Sequence, residues 1–232
     1  MDKRKIQLIT RLVHHYISSA QPVGSISLVE KYRMSVSSAT VRNELVVLEQ
    51  QGYIAQPHLS AGRIPTELGY RLYIKYMKPV RLTDTQEQQL RLVWKEHLDD
   101  LEMKLKRMAK MLAELTGEVV FIAFDKKHTY CTGVGNLCTK PEFDDKKLVS
   151  SISEVIDTLD EIIEKIYQDI PDRPEILIGQ QNYFSKECST IVMRYTTKDK
   201  QGVIGIMGPM RMNYGRNMSL MESARKLINV NY

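Results

Sequence analysis

The sequence predicts an α+β protein in which a small helical N-terminal domain precedes a larger α/β domain. Apolar residues recur at three- and four-residue spacing in residues 3–19, as expected of a helix with one buried face. Two shorter helical segments and a hairpin pattern follow before residue 78, and β-rich apolar runs such as residues 119–124 come later in the chain. A length of 232 residues is sufficient for two such domains, each with its own core.

Basic charge is concentrated in the N-terminal third of the chain. Residues 1–78 contain eleven lysines and arginines against five acids, a net charge of +6, whereas residues 79–232 carry −1. A basic domain joined to a nearly neutral one favours a polyanionic partner for the first domain only. A basic surface that merely keeps the domain in solution is the alternative.

The sequence indicates neither export nor a membrane span. Thr10, Arg11, His14 and His15 interrupt any apolar stretch behind the basic N-terminus, so it does not have the pattern of a signal peptide. The longest clean apolar run, residues 119–124, is far shorter than the ~20 residues that cross a bilayer. We therefore expect a cytoplasmic protein with no membrane partner.

Residues 3–52 predict three helices joined by short turns. The first covers residues 3–19, and Ser25 can cap a second, shorter helix. A tight turn over residues 34 and 35 leads to Ser37, which can cap the third helix, and Gly52 can end it. Three helices with a short second turn form the helix-turn-helix arrangement.

The outward face of the third predicted helix carries residue types that read duplex DNA. Arginine can bond both acceptors of guanine, asparagine can do the same to adenine, and small side chains let a helix enter the major groove. Helix N-terminal amides and serine hydroxyls can also hold a phosphate. The predicted contacts on this helix are Ser37, Ser38, Ala39, Thr40, Arg42 and Asn43. A solvated face of a purely structural helix is the alternative.

The segment after this helix predicts a β-hairpin. Two short extended pieces, residues 53–56 and 63–66, flank a glycine-containing loop. A hairpin directly after a recognition helix is a wing, so residues 1–78 are predicted to form a winged helix-turn-helix that binds double-stranded DNA. Basic side chains at the hairpin tip can reach a phosphate or the adjacent minor groove, and small ones permit close approach. The predicted contacts here are His58, Ser60, Gly62 and Arg63. A plain turn between strands is the alternative.

Residues 79–117 predict a long linking helix with a heptad seam. The seam alternates steps of four and three residues over about three heptads. Its members are Trp94, Leu98, Leu101, Leu105, Met108, Leu112 and Leu115. Such a seam serves equally well to pair with a second copy of the chain or to pack on its own domain, so both interpretations stay open.

Residues 118–232 predict an α/β domain. Short apolar β-rich runs indicate strands, and longer periodic segments indicate helices. The predicted strands are 119–124, 176–178, 190–195 and 203–207, and the predicted helices are 144–168 and about 216–229. No convergent set of polar residues identifies a small-molecule ligand for this domain.

The residue patterns do not indicate an enzyme. The glycine-rich run 202–208 lacks the lysine and hydroxyl residue of a phosphate loop and is better explained by tight strand packing. His128, Cys131 and Cys138 lack the paired short spacing of zinc ligands, and Cys188 has no evident histidine partner. An odd, sparse set of cysteines also argues against a disulfide framework. We expect no catalysis, no cofactor and no metal.

Several dense motifs in the chain match one known family. Residues 22–74 include SSATVRNE, LEQQGYI and QPHLSAGRIPT, and this stretch resembles the N-terminal domain of the heat-inducible transcription repressor family, HrcA. The stretches GVGNLCTKPEF, EILIGQQN and GVIGIMGPMRMNYGRNMSLM resemble the C-terminal domain of the same family. The resemblance spans nearly the whole chain.

The resemblance implies a dimeric repressor that binds an inverted-repeat operator ahead of chaperone operons. It also implies a GAF-like C-terminal domain, here residues 118–232, and a chaperonin partner, GroEL, which assists folding of the active repressor. Heat stress would then draw the chaperonin away and release repression. A ligand-sensing one-component regulator with a metabolite pocket in the C-terminal domain is the alternative function.

One departure from the family pattern concerns the dimer. Family members usually carry an inserted dimerisation domain between the first strand of the C-terminal domain and the GxxNL segment. Here only residues 125–132 lie between the two, so the chain resembles a short form without most of the insert. A homodimer is still expected, because an inverted repeat requires two copies of the reader.

Overall fold

The protein consists of two compact units that together give an α+β fold. The structure is a computed structural model that describes residues 2–78, 80–95, 100–137, 139–144, 146–198 and 200–229. The units are Met1–Lys78 and Pro79–Tyr232. Helices and an antiparallel sheet are both present, which confirms the predicted α+β class. No helix among the described residues is long and apolar enough to span a bilayer.

The first unit is a helical core with a short hairpin. Its elements in chain order are α1 (Lys3–Ser19), α2 (Ser25–Tyr32), α3 (Ser38–Gln50), β1 (Ile54–Ala55), β2 (Ile64–Pro65) and α4 (Glu67–Tyr76). One buried stripe from each helix forms the core, including Leu12 of α1, Leu28 of α2, Leu48 of α3 and Tyr70 of α4. Helix α1 has the bounds that its apolar spacing predicts.

Local caps define the turn between α2 and α3. Helix α2 stops at Arg33, whose backbone has φ of 46°, and the amide of Met34 donates to the carbonyl of Val29 at 3.0 Å. The Ser37 hydroxyl then accepts from the Thr40 amide at 3.1 Å and starts α3. At the other end, Gly52 has φ of +78°, a conformation that favours glycine. The predicted start and stop of α3 are therefore confirmed.

The β1–β2 hairpin is joined to the segment between α1 and α2. The backbones of Val23 and Arg63 pair through two hydrogen bonds of 2.8 and 2.9 Å. A Cβ atom on Gly62 would lie 2.5 Å from the carbonyl carbon of Val23, so only glycine permits this approach. The hairpin is thus fixed to the segment before α2 at the point where its loop joins β2.

The second unit is a five-stranded antiparallel sheet with helices on both faces. Its elements are α5 (Asp84–Lys95), α6 (Leu101–Thr116), β3 (Val119–Ala123), β4 (Thr129–Thr132), α7 (Val134–Leu137), α8 (Lys146–Asp157), α9 (Leu159–Ile166), β5 (Glu175–Ile178), β6 (Cys188–Thr196), β7 (Gln201–Pro209) and α10 (Tyr214–Asn229). Short 3-10 turns cover Pro141–Asp144 and Gly179–Gln181. The strand order is β4-β3-β7-β6-β5.

Alternating side chains divide this sheet between two helical layers. On one face Phe121, Val192 and Val203 form a single core with the apolar side of α8 and α9. On the other face α6 packs on β3 and α10 packs on β6. The ring of Phe121 occupies the place where a Cβ of Gly205 would lie, 2.1 Å from the nearest ring carbon, which agrees with tight strand packing at the glycine-rich run.

The segment predicted as one linking helix, residues 79–117, forms two helices. The backbone of Asp100 is extended, and its carboxylate accepts from the Glu102 amide at 3.0 Å to start α6. Helices α5 and α6 pack on each other. Leu105, Met108 and Leu112 of the predicted seam are buried within the unit, so these seam residues serve their own core. Leu98, another seam residue, lies outside the described residues.

Two further boundaries differ from the sequence prediction. The helix predicted over residues 144–168 is divided at Thr158, between α8 and α9. Strand β4 was not predicted at all, and it pairs with β3 from Val120 opposite Thr132 to Ala123 opposite Thr129. A short turn over residues 124–128 therefore connects two paired strands in the place where the family insert would fall.

A buried ion pair lies beside the first strand of the sheet. Glu118 directly precedes β3, its side chain is 4% exposed, and Lys140 contacts its carboxylate. A second pair joins Glu142 to Arg211, with 3.0 Å between Nη2 and Oε2. Burial raises the pKa of Glu118 to about 7, although the Lys140 ammonium acts in the opposite direction. Residues of two distant segments, 133–143 and 202–221, thus meet near the Glu118 carboxylate.

This raised pKa predicts a pH-dependent stability of the second unit. The folded state holds a proton on Glu118 that the unfolded chain releases from its ordinary pKa of 4.5, so the contribution is full below that value and is lost as pH rises through about 7. We expect Glu118→Gln to flatten the fall in unfolding free energy between pH 5 and pH 8, measured by denaturant unfolding at each pH. The exposed Asp157→Asn change is the control, and an unchanged slope in the Gln variant would contradict the assignment.

Candidate nucleic-acid interface

Helix α3 and the hairpin loop line one open groove in the first unit. The groove has a volume of about 610 Å³ and also includes the N-terminal end of α2. Its lining residues are Val23, Gly24, Ser25, Ile26, Ser38, Ala39, Arg42, Asn43, Leu45, Gln56, Leu59, Ser60, Ala61, Gly62 and Arg63. We call this feature the helix–hairpin groove. It brings together most of the residues that the sequence predicts as contacts.

The predicted recognition residues lie on the outer side of α3. Ala39, Thr40, Arg42 and Asn43 are exposed, whereas Ser38 is half-buried. Within residues 2–78, no acidic side chain forms an ion pair with Arg42. The guanidinium is therefore open to an external partner.

The acid next to this face is engaged by another helix. Glu44 forms an ion pair of 2.9 Å with Arg4 of α1. Its charge is thus compensated by a side chain of α1. This arrangement lowers the repulsion that an anionic ligand would meet beside Asn43.

The hairpin loop is fixed by a side chain that sequence reasoning missed. The amide nitrogen of Gln56 donates to the carbonyls of Leu59 and Ala61, both at 2.9 Å. The backbone amide of Ala61 also donates to the carbonyl of His58 at 2.8 Å. His58 and Ser60 are exposed at the tip as predicted. No local pattern in the sequence identifies this role of Gln56, because it depends on the path of the loop.

The structure corrects the placement of Arg63. The sequence placed this residue at the hairpin tip, but it lies where the loop joins β2, and its backbone pairs there with Val23. Its guanidinium donates from Nε to Glu49 of α3 at 3.0 Å, with Nη2 at 2.9 Å from the same oxygen. The side chain is only 15% exposed. Arg63 therefore joins the hairpin to α3, and Gly62 is explained by backbone packing.

The two described cysteine thiols have raised pKa values. Burial raises the pKa of Cys131 and of Cys188 to about 11 each. At neutral pH both cysteines are therefore mainly thiols, whereas the nucleophilic form of cysteine is the thiolate. Among the described residues, no three His, Cys, Asp or Glu side chains cluster as a metal site requires. Cys138 lies outside the described residues.

Curated proteins similar to this chain are transcription repressors. The heat-inducible transcription repressor HrcA of Pelotomaculum thermopropionicum is 43% identical over 117 residues, which is 50% of this chain and 34% of that protein. The protein of the same name from Rhodococcus jostii is 42% identical over 123 residues, 53% of this chain and 35% of the relative. The matched segment spans about a third of the length of these relatives. A family model described as HrcA protein C terminal domain matches residues 79–218, so the chain belongs to the HrcA family.

One solved structure shares the fold. A crystal structure described as that of a hypothetical protein has a TM-score of 0.81 and covers 100% of both chains. Its sequence identity to this chain is 18%, so the similarity extends to the fold alone.

The Ser37 cap predicts a measurable loss of order in α3. Replacing Ser37 by Ala removes the acceptor for the Thr40 amide, and loss of such a cap costs about 1 kcal/mol. We expect faster hydrogen exchange at the first turn of α3, measured by mass spectrometry. Ser35→Ala in the preceding turn should leave this exchange as in the parent. Equal protection in both variants would show that Ser37 does not support the helix.

Proposed function

We propose that the chain is a DNA-binding transcription repressor whose first unit is a winged helix-turn-helix. One observation carries the proposal: Arg42 and Asn43 are exposed on α3 beside the hairpin loop, in one open groove of a unit with net charge +6. Helix α3 would be the recognition helix and β1–β2 the wing. Membership of the HrcA family supports a repressor rather than another kind of DNA-binding protein.

The geometry suggests different tasks for the proposed contacts. Arg42 and Asn43 would read base edges in the major groove, and the residues from Ser37 to Thr40 would approach the phosphates near the start of α3. His58 and Ser60 would contact the adjacent groove from the hairpin tip. Arg63 and Gly62 would act indirectly by holding the hairpin in place, because one is paired with Glu49 and the other packs on Val23.

The second unit would provide pairing and regulation. Its antiparallel sheet with helices on both faces supports a GAF-like assignment. We propose that the protein acts as a homodimer on an inverted-repeat operator, in the cytoplasm, and that GroEL is its regulatory partner, as the family resemblance implies. The name of the relatives, heat-inducible transcription repressor, supports relief of repression by heat. Residues 1–78 and 118–232 are the proposed functional domains, and α5 and α6 belong to the same compact unit as residues 118–232.

A footprint on chromosomal DNA tests this function. The full chain is incubated with DNA upstream of the chaperonin genes of its host, and protection from nuclease cleavage is mapped. We expect two protected half-sites of opposite orientation. Protection of no sequence, or equal protection of all sequences, would overturn the proposal.

A second candidate function rests on a groove in the second unit. Helices α8 and α9 and the loop before β6 line a space of about 770 Å³. Ser151, Ser185 and Glu187 form a hydrogen-bonded cluster on its wall. This groove supports a ligand-sensing regulator as the alternative. Thermal-shift screening against metabolites, compared with pull-down by GroEL, separates the two candidates.

The open guanidinium of Arg42 predicts a loss of sequence-specific binding. Arg42→Ala should weaken binding to the footprinted operator by about 1–3 kcal/mol and relax base preference at one position of each half-site. Fluorescence anisotropy with single-base operator variants measures both effects. Arg173→Ala, an exposed arginine of the second unit, is the matched control. Parent-like affinity of the Arg42 variant would exclude the contact.

The Arg63–Glu49 pair predicts a different signature. Arg63→Ala should weaken operator binding through loss of hairpin position, while the dependence of affinity on salt stays close to that of the parent, because Glu49 already neutralises this charge. The reversed pair, Glu49→Arg with Arg63→Glu, should recover part of the affinity in a salt titration. If the affinity of Arg63→Ala depended clearly less on salt than that of the parent, and the double variant recovered no affinity, Arg63 would instead contact a DNA phosphate.

A further inference from the structure

The hairpin tip presents an apolar side chain to solvent, and we propose that this residue, Leu59, is an apolar contact in the DNA minor groove. The inference rests on the proposed function and adds a specific residue to it. Leu59 is 99% exposed, more than any other large apolar side chain in the part of the chain that the structure describes. It also lines the helix–hairpin groove together with Arg42 and Asn43.

The exposure of Leu59 is built into the loop. The Gln56 side chain bonds the carbonyl of Leu59 itself and that of Ala61, and Ala61 closes a turn onto His58. Near the point where the loop joins β2, Gly62 packs against the backbone of Val23. A single exposed leucine is common on protein surfaces. A leucine held outward by a loop with these internal hydrogen bonds is preorganised for a partner.

The chemistry of the tip excludes the usual ionic contact. Residues 56–62 contain no lysine, arginine, aspartate or glutamate. The nearest arginine, Arg63, directly precedes β2 and is paired with Glu49 of α3. The tip therefore has no permanently charged side chain that could bind a phosphate. Its contacts with DNA would depend on His58, Leu59 and the small side chain of Ser60.

An apolar tip fits the minor groove better than the phosphate backbone. Proteins that enter the minor groove commonly place leucine, isoleucine or phenylalanine there. With α3 in the major groove, the hairpin reaches the neighbouring groove, and Ser60 and Gly62 leave room for close approach. Leu59 would then exchange water for contact with deoxyribose and base edges.

The experiment uses the full chain and a duplex recovered by in vitro selection from a random DNA library with the parent protein. Affinity is measured by fluorescence anisotropy over a series of salt concentrations. We expect Leu59→Ala to bind about tenfold more weakly, as loss of one buried leucine contact predicts. The slope of affinity against salt should be unchanged, because no charge is removed. Leu59→Met should keep most of the affinity.

Two controls make the result specific. Leu92→Ala changes another exposed leucine, on α5, and should bind like the parent. Distamycin binds the minor groove of A·T-rich DNA, so on a duplex with an A·T-rich run placed beside the selected half-site it should abolish the difference between the parent and Leu59→Ala. The two proteins should also show the same unfolding temperature, because the Leu59 side chain makes little contact in the free protein.

The possible outcomes separate this inference from the function on which it rests. If the parent selects a duplex but Leu59→Ala binds it equally well, the apolar contact is excluded and the repressor function stands. A tenfold loss that persists with distamycin bound would overturn the minor-groove placement. If the parent selects no duplex at all, the proposed function fails and this inference fails with it.

Discussion

The organisation of the first unit depends on the attachment of the hairpin through Arg63, where the loop joins β2. Two backbone hydrogen bonds join Val23 to Arg63, and the Arg63 guanidinium reaches across to Glu49 on α3. One residue is thereby bonded both to the segment before α2 and to the third helix. The helix–hairpin groove has a defined width because its two walls share this anchor. The hairpin residues proposed to contact DNA take their position relative to α3 from this anchor.

Charged side chains are arranged differently in the two units. In the first, ion pairs such as Arg4–Glu44 lie at the edges of α3 and leave Arg42 open to solvent. In the second, Glu118 contacts Lys140 in the interior beside the sheet, where burial raises the pKa of the carboxyl to about 7. The first arrangement suits an external polyanion, and the second connects the segment before β3 to the loop that carries Lys140.

The features that the sequence predicted correctly are those determined by short-range interactions. The bounds of α1, the Ser37 cap and the Gly52 stop depend on residues within one helical turn of each other. The role of Arg63 could not be predicted, because Glu49 is fourteen residues away in sequence and the contact requires the hairpin register. The exposure of Leu59 could not be predicted either, because it depends on the path of the loop.

The same limit explains the errors in the second unit. A stripe of apolar residues continues with helical period on both sides of Asp100, so periodicity alone concealed the break between α5 and α6. Strand β4 has four residues, all half-buried, and lacks the continuous apolar run that marked β3.

The unequal strand lengths of the sheet have a protective consequence. Strands β6 and β7 have nine residues each and lie inside, whereas the two outer strands, β4 and β5, have four each. The two long strands pair with each other along nine residues, and each outer strand offers only four residues at the edge of the sheet. Short borders of this kind give a neighbouring chain little template for adding a strand, which limits sheet-to-sheet aggregation.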